Sequence, residues 1–573
     1  MSAVDVLTAI LRGAHTAALA SLFGTLVFAA TVVRGLPNAP WARTTHARLA
    51  KWAWISALSA LMLCAAWFVA QAAAIADTTG VPDTLAALPL VALDTQFGRL
   101  ILVRLGLLLA LLPACLMLRK SASQMARRTA PSARDRVALA TAIGLSGGAL
   151  ALQGAFGHAG AIEGAAGDRL LIAEALHALA AAAWLGALVP LLVCLTTMPA
   201  GPATGAARRF FPLGLLSVSV IAATSLIQAV ELVGSIPALV GTAYGRMALV
   251  KLALLLSMLS LAGLNRFFLT GQGLRRSVTC ETVLAVAVLF AAGFLAHLTP
   301  GAHEQPVWPF DWRLNPKGSR PLLVASHPTS FFTSPTGFAA DAIVRGERLY
   351  QADCASCHGA SGQGNGPAAP SLPVRPADLT ARGLLDYSDG DLYWLAGHAV
   401  ATTEDERWDL VDYLRAHNRG EFVRTSGRAV VPLRIPAFEA VCADGHDIDA
   451  DDLHGHVVRI VIPDGDAPVQ PPAEAGTRPL TIMLSKEANG GSRETGCVAG
   501  QDVREAFAIL LGTTSDALAG SQILIDVNGW LRSVWRPGQP GGWESPARLA
   551  ARVTALAEHP LPADTAGGHV HHH

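Results

Sequence analysis

The sequence predicts three folded parts: an all-α bundle of eight membrane helices, a small all-α domain and an α/β domain. Hydrophobic residues make up 52% of the 573 residues and charged residues only 15%, a balance typical of chains with membrane segments. Most of the Leu, Ala and Val lies in residues 1–300, whereas residues 301–573 carry most of the Pro, Asp, Glu and His. The net charge of zero indicates no basic surface for nucleic acid.

Eight stretches in the first part reach the roughly 20 apolar residues that cross a bilayer. The predicted spans are residues 6–33, 52–74, 99–118, 137–157, 171–195, 211–231, 246–269 and 282–299. The loops after spans one, three, five and seven are rich in Lys and Arg, which places them in the cytoplasm. Both chain ends are therefore expected in the periplasm of a bacterial inner membrane, with the first span as an uncleaved export signal.

An internal repeat of four spans is visible in the membrane part. Span three begins FGRLILVRLGLLLALL and span seven begins YGRMALVKLALLLSML, so that Arg104 and Lys251 occupy matching positions. Spans one and five match as well, because AHTAALASLFGTL and LHALAAAAWLGAL each place a His nine residues before a Gly. The pattern predicts a 4+4 bundle whose halves have the same orientation.

Four histidines of the repeat fall in the predicted periplasmic half of the membrane: His15, His158, His177 and His297. A single intramembrane His is often only a packed, hydrogen-bonded side chain, but four at one depth favour a function because polar groups in hydrocarbon are costly. Neutral imidazole binds copper, zinc or haem iron. The predicted shared site holds copper or a b-type haem, and the positive charges of Arg104 and Lys251 suit haem propionates.

The membrane part also contains LHALAAAAWLGALVPLL, YGRMALVKLALLLSMLSLAGLNRFFL and LAHLTPGAHEQPVWPF. Through these stretches, residues 1–315 resemble the CopD copper-resistance family of inner-membrane proteins. The resemblance implies copper handling, with uptake across the inner membrane as the usual proposal. It also implies that His158, His177 and His297 occupy the family's histidine positions.

Residues 341–420 contain a haem-attachment motif. GERLYQADCASCHGASGQGNGPAAP includes C-x-x-C-H, in which Cys354 and Cys357 bond covalently to haem and His358 ligates the iron. The bare motif also occurs by chance or as a zinc or redox pair. Here an amphipathic helix, IVRGERLY, precedes it and a closing helix, ERWDLVDYLRAH, follows, so the module is similar to a class I cytochrome c. Haem attachment occurs outside the cytoplasm, in agreement with the predicted topology.

The sixth iron ligand of this haem is not the usual Met, since no Met occurs between Met258 and Met483. Instead, GHAVATTEDERW runs directly into the last helix. Three outcomes stay open: His398 ligates the iron, His417 or an outside group does so, or the iron is five-coordinate and binds small ligands. His398 is favoured, and bis-His ligation predicts a lower potential than Met/His ligation.

The last part contains IPAFEAVCADGHDIDADDLHGHVVRIVIP and SQILIDVNGWLRSVWRPG, through which residues 430–555 resemble thioredoxin-like folds of the peroxiredoxin and SCO copper-chaperone type. No C-x-x-C follows the first central strand, so ordinary thiol exchange is not expected. Cys442 and Cys497 are expected to form a structural disulfide or to bind copper with a nearby His. Residues 301–340 predict a Pro- and aromatic-rich linker at the membrane surface, and residues 556–573 a His-rich tail.

The sequence therefore predicts an inner-membrane copper-homeostasis protein whose tethered cytochrome exchanges electrons with copper or haem b in the bundle. Its expected partners are copper ions, the lipid bilayer and a periplasmic or membrane redox partner. Electron transfer or transport is favoured over a classical enzymatic reaction. Two alternatives stay open: electron transfer with a quinol or small oxidant unrelated to copper, and a haem-based sensor or assembly factor for a copper enzyme.

Overall fold

The computed structural model of the chain forms two compact units, Met1–Pro306 and Val307–His573, which are described separately. The described residues are 3–34, 36, 39–78, 80–124, 132–160, 162, 164–314, 321–399, 402–426, 432–442, 445–450, 452–464, 479–484, 497–539 and 545–563. The predicted His-rich tail lies largely outside them, because the description ends at residue 563.

The described part of the first unit consists of α-helices joined by turns. These are α1 (Ala3–Thr31), α2 (Pro40–Ile75), α3 (Val81–Asp94), α4 (Gln96–Gln124), α5 (Ala133–Ala151), α6 (Gly164–Leu185), α7 (Leu188–Thr197), α8 (Ala200–Gln228), α9 (Ile236–Gly241), α10 (Ala243–Phe267) and α11 (Gly271–Leu295). Among the described residues, eight helical segments are long and apolar enough to cross a membrane, with α6 and α7 forming one of them. The predicted number of spans is thus confirmed.

Two glycines bring α1 and α6 into backbone contact. A Cβ at Gly24 would lie 2.4 Å from the carbonyl carbon of Gly186, and a Cβ at Gly186 would lie 1.9 Å from the carbonyl oxygen of Ala20. No side chain fits at either position, so the helices cross where both lack a Cβ. The matching glycines of the two predicted repeats therefore meet each other.

The turns before α4 and α10 are built in the same way. The Thr95 hydroxyl accepts the Gly98 N–H at 2.9 Å, and the Thr242 hydroxyl accepts the Gly245 N–H at 3.0 Å. Both hydroxyls donate to the carbonyl four residues back. Both glycines also lie against the preceding short helix, α3 or α9, with no room for a Cβ. The two turns thus have the same capping contacts, and the four-span repeat stays a prediction.

The second unit begins with a hairpin of β1 (Trp312–Leu314) and β2 (Leu323–Ala325), followed by a helical domain. The helices of that domain are α12 (Ala340–Leu349), α13 (Ala355–His358), α14 (Asp389–Ala399) and α15 (Glu404–Ser426). The first and last of them cross in contact, because a Cβ at Gly346 would lie 2.0 Å from the carbonyl oxygen of Asp409.

The segment predicted as a linker packs against this helical domain. Arg313 of β1 forms a buried ion pair with Asp391 at the start of α14, at 2.6 Å. The Thr329 hydroxyl donates to the Gly390 carbonyl at 2.6 Å, and Ser330 donates to the Asp391 carboxylate. Buried polar groups of this kind require partners in a fixed geometry, so the segment holds a defined position against α14.

A mixed sheet forms the rest of the second unit. Its strands are β3 (Leu433–Arg434), β4 (Ala440–Cys442), β5 (Asp447–Ile448), β6 (Val458–Val461), β7 (Leu480–Leu484), β8 (Cys497–Ala499), β9 (Gln522–Ile525) and β10 (Trp530–Trp535). The strand order is β3-β10-β9-β6-β7-β8-β4-β5. The β6-β7 and β7-β8 pairs are parallel and the other pairs are antiparallel. Helices α16 (Gln501–Leu510) and α17 (Pro546–Glu558) complete the domain.

The helical domain and the sheet share one hydrophobic core. Ile343 of α12 and Ala416 of α15 pack in the same cluster as Phe507 of α16 and the inner residues of the sheet. The α15 and α16 ends meet at Gly420 and Gly512, where a Cβ on either residue would lie about 2 Å from backbone. The second unit is therefore one packed body in which the sheet supports the helical domain.

Candidate functional site

The C-x-x-C-H motif lies at the junction of α12 and α13. A π-helical turn from Tyr350 to Cys354 leads into α13, which ends at His358. The His358 Nδ1–H donates to the Ala377 carbonyl at 2.9 Å, because a carbonyl oxygen can only accept. The Nε2 lone pair is left available for a metal, which is the usual arrangement of a ligating His.

The surroundings of the two motif cysteines fit a covalently attached haem. Both thiols are half-buried and unpaired, and burial raises the pKa of Cys354 to about 11. Large apolar side chains of the same domain are exposed, among them Leu372, Val374 and Leu395. Exposed apolar groups of this kind mark a ligand-binding surface.

The structure distinguishes the two histidines considered for the sixth ligand. His398 lies exposed near the end of α14, and its Nδ1–H donates to the Trp394 carbonyl at 2.8 Å, which leaves Nε2 available. The His417 Nε2–H instead donates to the Ser361 carbonyl at 2.9 Å, and its ring packs against Tyr350 and Tyr413. His417 is therefore held within the domain, while His398 has the nitrogen that ligation requires.

His15 is fully buried in the membrane unit. Its Nδ1–H donates to the Ala60 carbonyl of α2 at 2.9 Å, and its ring packs against Trp67, with ring centroids 6.0 Å apart. The Nε2 atom is buried and has no hydrogen-bond partner among the described residues. A buried lone pair without a partner costs free energy and favours a bound ligand at this position.

His177 and His297 donate through the same ring nitrogen as His15. The Thr224 hydroxyl donates to the Val220 carbonyl at 2.8 Å, so it accepts the His177 Nδ1–H at 3.0 Å. The His297 Nδ1–H donates to the Gly293 carbonyl of its own helix at 2.9 Å. All three rings thus carry the proton on Nδ1 and keep Nε2 for another contact.

The fourth predicted histidine, His158, begins a short 3-10 helix after α5, but its side chain lies outside the described part of the structure. Among the described residues, no group of three or more His, Cys, Asp or Glu side chains lies close enough to hold a metal ion. The shared site of the four histidines therefore stays a prediction.

Sequence reasoning missed two residues beside His15. Arg12 and Trp67 are buried there, with the Arg12 guanidinium carbon 5.5 Å from the Trp67 ring centre. A signal was present for Arg12, since Arg12 and Glu174 stand three residues before the repeat-related His15 and His177. Arg12 Nη2 and Glu174 Oε2 both lie about 4 Å from the position of a Cβ built at Gly157, and their charges interact.

The cysteines of the last domain lie on adjacent strands. A disulfide joins Cys442 of β4 to Cys497 of β8, so their thiols are not free to bind copper. In the predicted IDVNG turn, Asp526 is fully buried and accepts the N–H groups of Asn528 and Trp530 and an Arg532 guanidinium N–H. That acid holds the turn together.

The chain matches three domain families. Residues 1–168 match the copper resistance protein D-like N-terminal domain, residues 204–295 match copper resistance protein D, and residues 343–418 match cytochrome c. A curated relative, the copper transport protein CutJ of Bacillus subtilis (strain 168), is 32% identical over 162 residues. That match covers 27% of this chain and 29% of the relative, so the chain spans less than a third of it. No solved structure matches.

These matches agree with the architecture described above. The first unit carries copper-resistance D-type domains with eight candidate membrane helices, and the helical part of the second unit is a cytochrome c domain. A cytochrome c domain supports haem c as its cofactor.

Proposed function

We propose that this protein is a bacterial inner-membrane copper-homeostasis protein whose cytochrome c domain exchanges electrons with a redox centre held by the membrane histidines. The observation that carries the proposal is the presence of copper-resistance D-type membrane domains and a cytochrome c domain in one chain. A one-electron carrier tethered to a transport-type bundle is useful where the cargo changes oxidation state, as copper does between Cu(I) and Cu(II).

The geometry of the membrane histidines supports this reading. His15, His177 and His297 each fix Nδ1–H on an oxygen acceptor and keep Nε2 free, the arrangement that second-shell hydrogen bonds impose on metal-binding imidazoles. The contact of Gly24 with Gly186 sets the two repeat-related helices against each other below His15 and His177. The proposal assigns the redox centre to these three rings and His158, although the three described rings do not by themselves form a group that could hold a metal ion.

In the cytochrome domain, Cys354 and Cys357 hold haem c through thioether bonds and His358 supplies one axial ligand. When bound, haem c supplies a one-electron redox couple. Ala377 orients His358 through the Nδ1–H contact, and Trp394 orients His398 through both a hydrogen bond and ring packing at 4.1 Å. His398 is the protein group best prepared to act as the sixth ligand.

The sheet domain is proposed to have a thioredoxin-like fold without redox activity. The strand order β7-β6-β9-β10, with a parallel first pair and antiparallel later pairs, supports that fold. Its cysteines are joined across β4 and β8, away from the end of β6 where an exchange motif would stand. The shared core with α12 and α15 suggests a supporting role for the cytochrome domain.

Metal analysis combined with haem typing tests the proposal. The full chain is purified in detergent from cells given copper, and copper, covalent haem and acid-acetone-extractable haem are counted per chain. The combined His15→Ala and His177→Ala variant should lose bound copper or extractable haem and keep covalent haem. The exposed His303→Ala variant is the matched control and should resemble the unmodified protein. Equal copper and extractable haem in all three proteins would contradict the proposal.

A second candidate is membrane electron transfer with a quinol or small oxidant, unrelated to copper. The observation that favours it is the pair of buried cations beside His15, Arg12 and Arg104, which repel a free copper ion. Reduction of the covalent haem by a quinol in the absence of copper, with no copper retained after purification, would favour this candidate over the first.

A further inference from the structure

A compact group of side chains surrounds the free nitrogen of His15. This Arg-His cluster consists of Arg12, His15, Trp67, Arg104 and Phe156. Four of them come from α1, α2 and α4, and Phe156 follows α5, so the cluster lies entirely within the first predicted repeat. Arg12, His15, Trp67 and Arg104 are each at most 6% exposed.

Polar atoms of the cluster have hydrogen-bonding capacity that the protein does not use. Arg104 makes one hydrogen bond, to Gln153 Oε1 at 3.0 Å, while its Nε and Nη2 have no partner among the described residues. The same holds for Arg12 Nε and Trp67 Nε1. Every one of these four atoms is an N–H donor. The cluster therefore offers several donors and, at His15 Nε2, one lone pair.

The charges of the cluster are not balanced either. The side chains that interact electrostatically with Arg104 are Arg12 and the Cys64 thiol, and neither is a carboxylate. Glu174 is the acidic side chain that attracts Arg12 electrostatically, and it also attracts Lys251 of α10. Among the described residues, the buried Arg12 and Arg104 and the partly buried Lys251 thus have one carboxylate between them, at the level of a membrane span where an uncompensated charge is very costly.

Aromatic rings reduce this cost only in part. The Arg104 guanidinium carbon lies 4.3 Å from the Phe156 ring centre and 5.9 Å from that of Trp67. Cation–π contacts of this kind stabilise a charge but do not neutralise it or satisfy its N–H groups. An anionic ligand would do both, because carboxylate oxygens accept the free donors in short, charge-assisted bonds.

We propose that the Arg-His cluster binds a carboxylate-bearing ligand, with its oxygens on Arg104, Arg12 and Trp67 and with His15 Nε2 directed at the same ligand. This inference deepens the proposed function, because it assigns a negative charge to whatever His15 binds. The carboxylates belong either to haem propionates or to a small carboxylate, alone or as a copper chelate. A free copper cation does not satisfy the cluster.

Binding experiments on the detergent-purified full chain test the proposal with three probes. Ferric haem and iron protoporphyrin IX dimethyl ester differ only in their carboxylates, and labelled citrate represents a small carboxylate. Bound porphyrin is counted after acid-acetone extraction, which leaves covalent haem behind, and citrate by equilibrium dialysis. Gel filtration and covalent haem content establish that each variant is folded.

The variants are Arg104→Gln and Arg12→Gln, with Arg99→Gln as the matched control, because Arg99 is an exposed residue of the same helix as Arg104. Haem should bind the unmodified and Arg99→Gln proteins about tenfold or more tightly than it binds Arg104→Gln or Arg12→Gln. The unmodified protein should bind the dimethyl ester more weakly than haem by a similar factor. If citrate binds with the same dependence on Arg104 and haem does not bind, the site is assigned to a small carboxylate.

Three results would overturn the inference. The first is the absence of binding of both haem and citrate to the unmodified protein. The second is ligand binding that does not change when either Arg104 or Arg12 is replaced by Gln. The third is haem that binds as tightly as its dimethyl ester, in a protein that does not bind citrate. The copper content measured for the proposed function is a separate quantity. If the protein binds carboxylates but holds no copper, the proposed function has failed; if it holds copper but binds no carboxylate, this inference has failed.

Discussion

The ion pair between Arg313 and Asp391 should dominate the placement of α14, the helix that carries His398. Both side chains are almost completely buried, at 4% and 2% exposure, with a 2.6 Å separation. Although burial alone raises the pKa of Asp391, hydrogen bonds from Ser330, Ser388 and Arg313 hold that pKa below its usual value. The carboxylate is therefore charged at neutral pH and depends on Arg313 for its balancing charge.

Replacement of Arg313 by Met leaves that carboxylate buried without its ion-pair partner, which costs about 3–5 kcal/mol. With a urea slope of about 1.5 kcal/mol/M, the unfolding midpoint of the domain should fall by about 2–3 M. The assay is urea unfolding of the full chain in detergent at pH 7.5, followed by the absorbance of the covalent haem. Urea is preferred because guanidinium would screen the charges.

An exposed ion pair of the same unit provides the matched control. Arg348 and Asp502 are 4.0 Å apart with side chains 70% and 55% exposed, so Arg348→Met should cost less than about 1 kcal/mol. The double variant Arg313→Met with Asp391→Asn has no buried charge and should recover at least half of the loss. The reasoning is refuted if Arg313→Met costs no more than Arg348→Met, or if the double variant is no more stable than Arg313→Met.

Three further predictions concern the haem ligand, a buried acid and the helix contact. If His398 is the sixth ligand, His398→Ala should convert a low-spin ferric spectrum to a high-spin one and allow the reduced haem to bind CO. Burial, with help from Asp389 and Asp409, raises the pKa of Asp412 to about 7 from 3.8, so the native state holds this proton more tightly than the unfolded state does. Stability should therefore fall as pH rises from about 4 to 7, by an amount of the order of 4 kcal/mol, and Asp412→Asn should remove that dependence in urea unfolding at several pH values. Gly24→Ala should destabilise the membrane unit by about 1–3 kcal/mol or more in detergent melting, because its Cβ would meet Gly186 at 2.4 Å.

Each of these predictions has a matched control in the chain. His417→Ala should keep the low-spin spectrum, and a high-spin spectrum already present in the unmodified protein would contradict ligation by His398. Asp405, exposed on the same helix as Asp412, should give no change in pH dependence when replaced by Asn. A Cβ at Gly144 meets nothing within 4 Å, so Gly144→Ala should be tolerated, and equal effects of Gly144→Ala and Gly24→Ala would count against the helix contact.

Prediction from sequence succeeded where the signal is local in the chain. Long apolar stretches identify membrane helices because each helix satisfies its own backbone hydrogen bonds, and eight such helices are present among the described residues. The C-x-x-C-H motif that indicated the cytochrome c domain is equally local, since Cys354, Cys357 and His358 stand within five residues. The pairing of Cys442 with Cys497 was one of two alternatives, because strand register decides whether two cysteines meet.

Prediction was incomplete where groups meet across the fold. The Pro- and aromatic-rich segment gave no sign that Arg313 would reach Asp391, 78 residues further on, and hold the segment against α14. Arg12 and Trp67 were missed beside His15 because α1 and α2 each contain many residues of similar pattern, and only their packing selects which of them face each other.

The sequence by itself determined the number of candidate membrane helices and the presence of a cytochrome c domain, because periodicity and short motifs act over a few residues of chain. The tertiary structure decided which ring nitrogens are free, which acids and bases are buried together, and that the sheet shares a core with the cytochrome domain. These properties depend on distances between residues far apart in the chain, and packing of whole helices and strands fixes those distances.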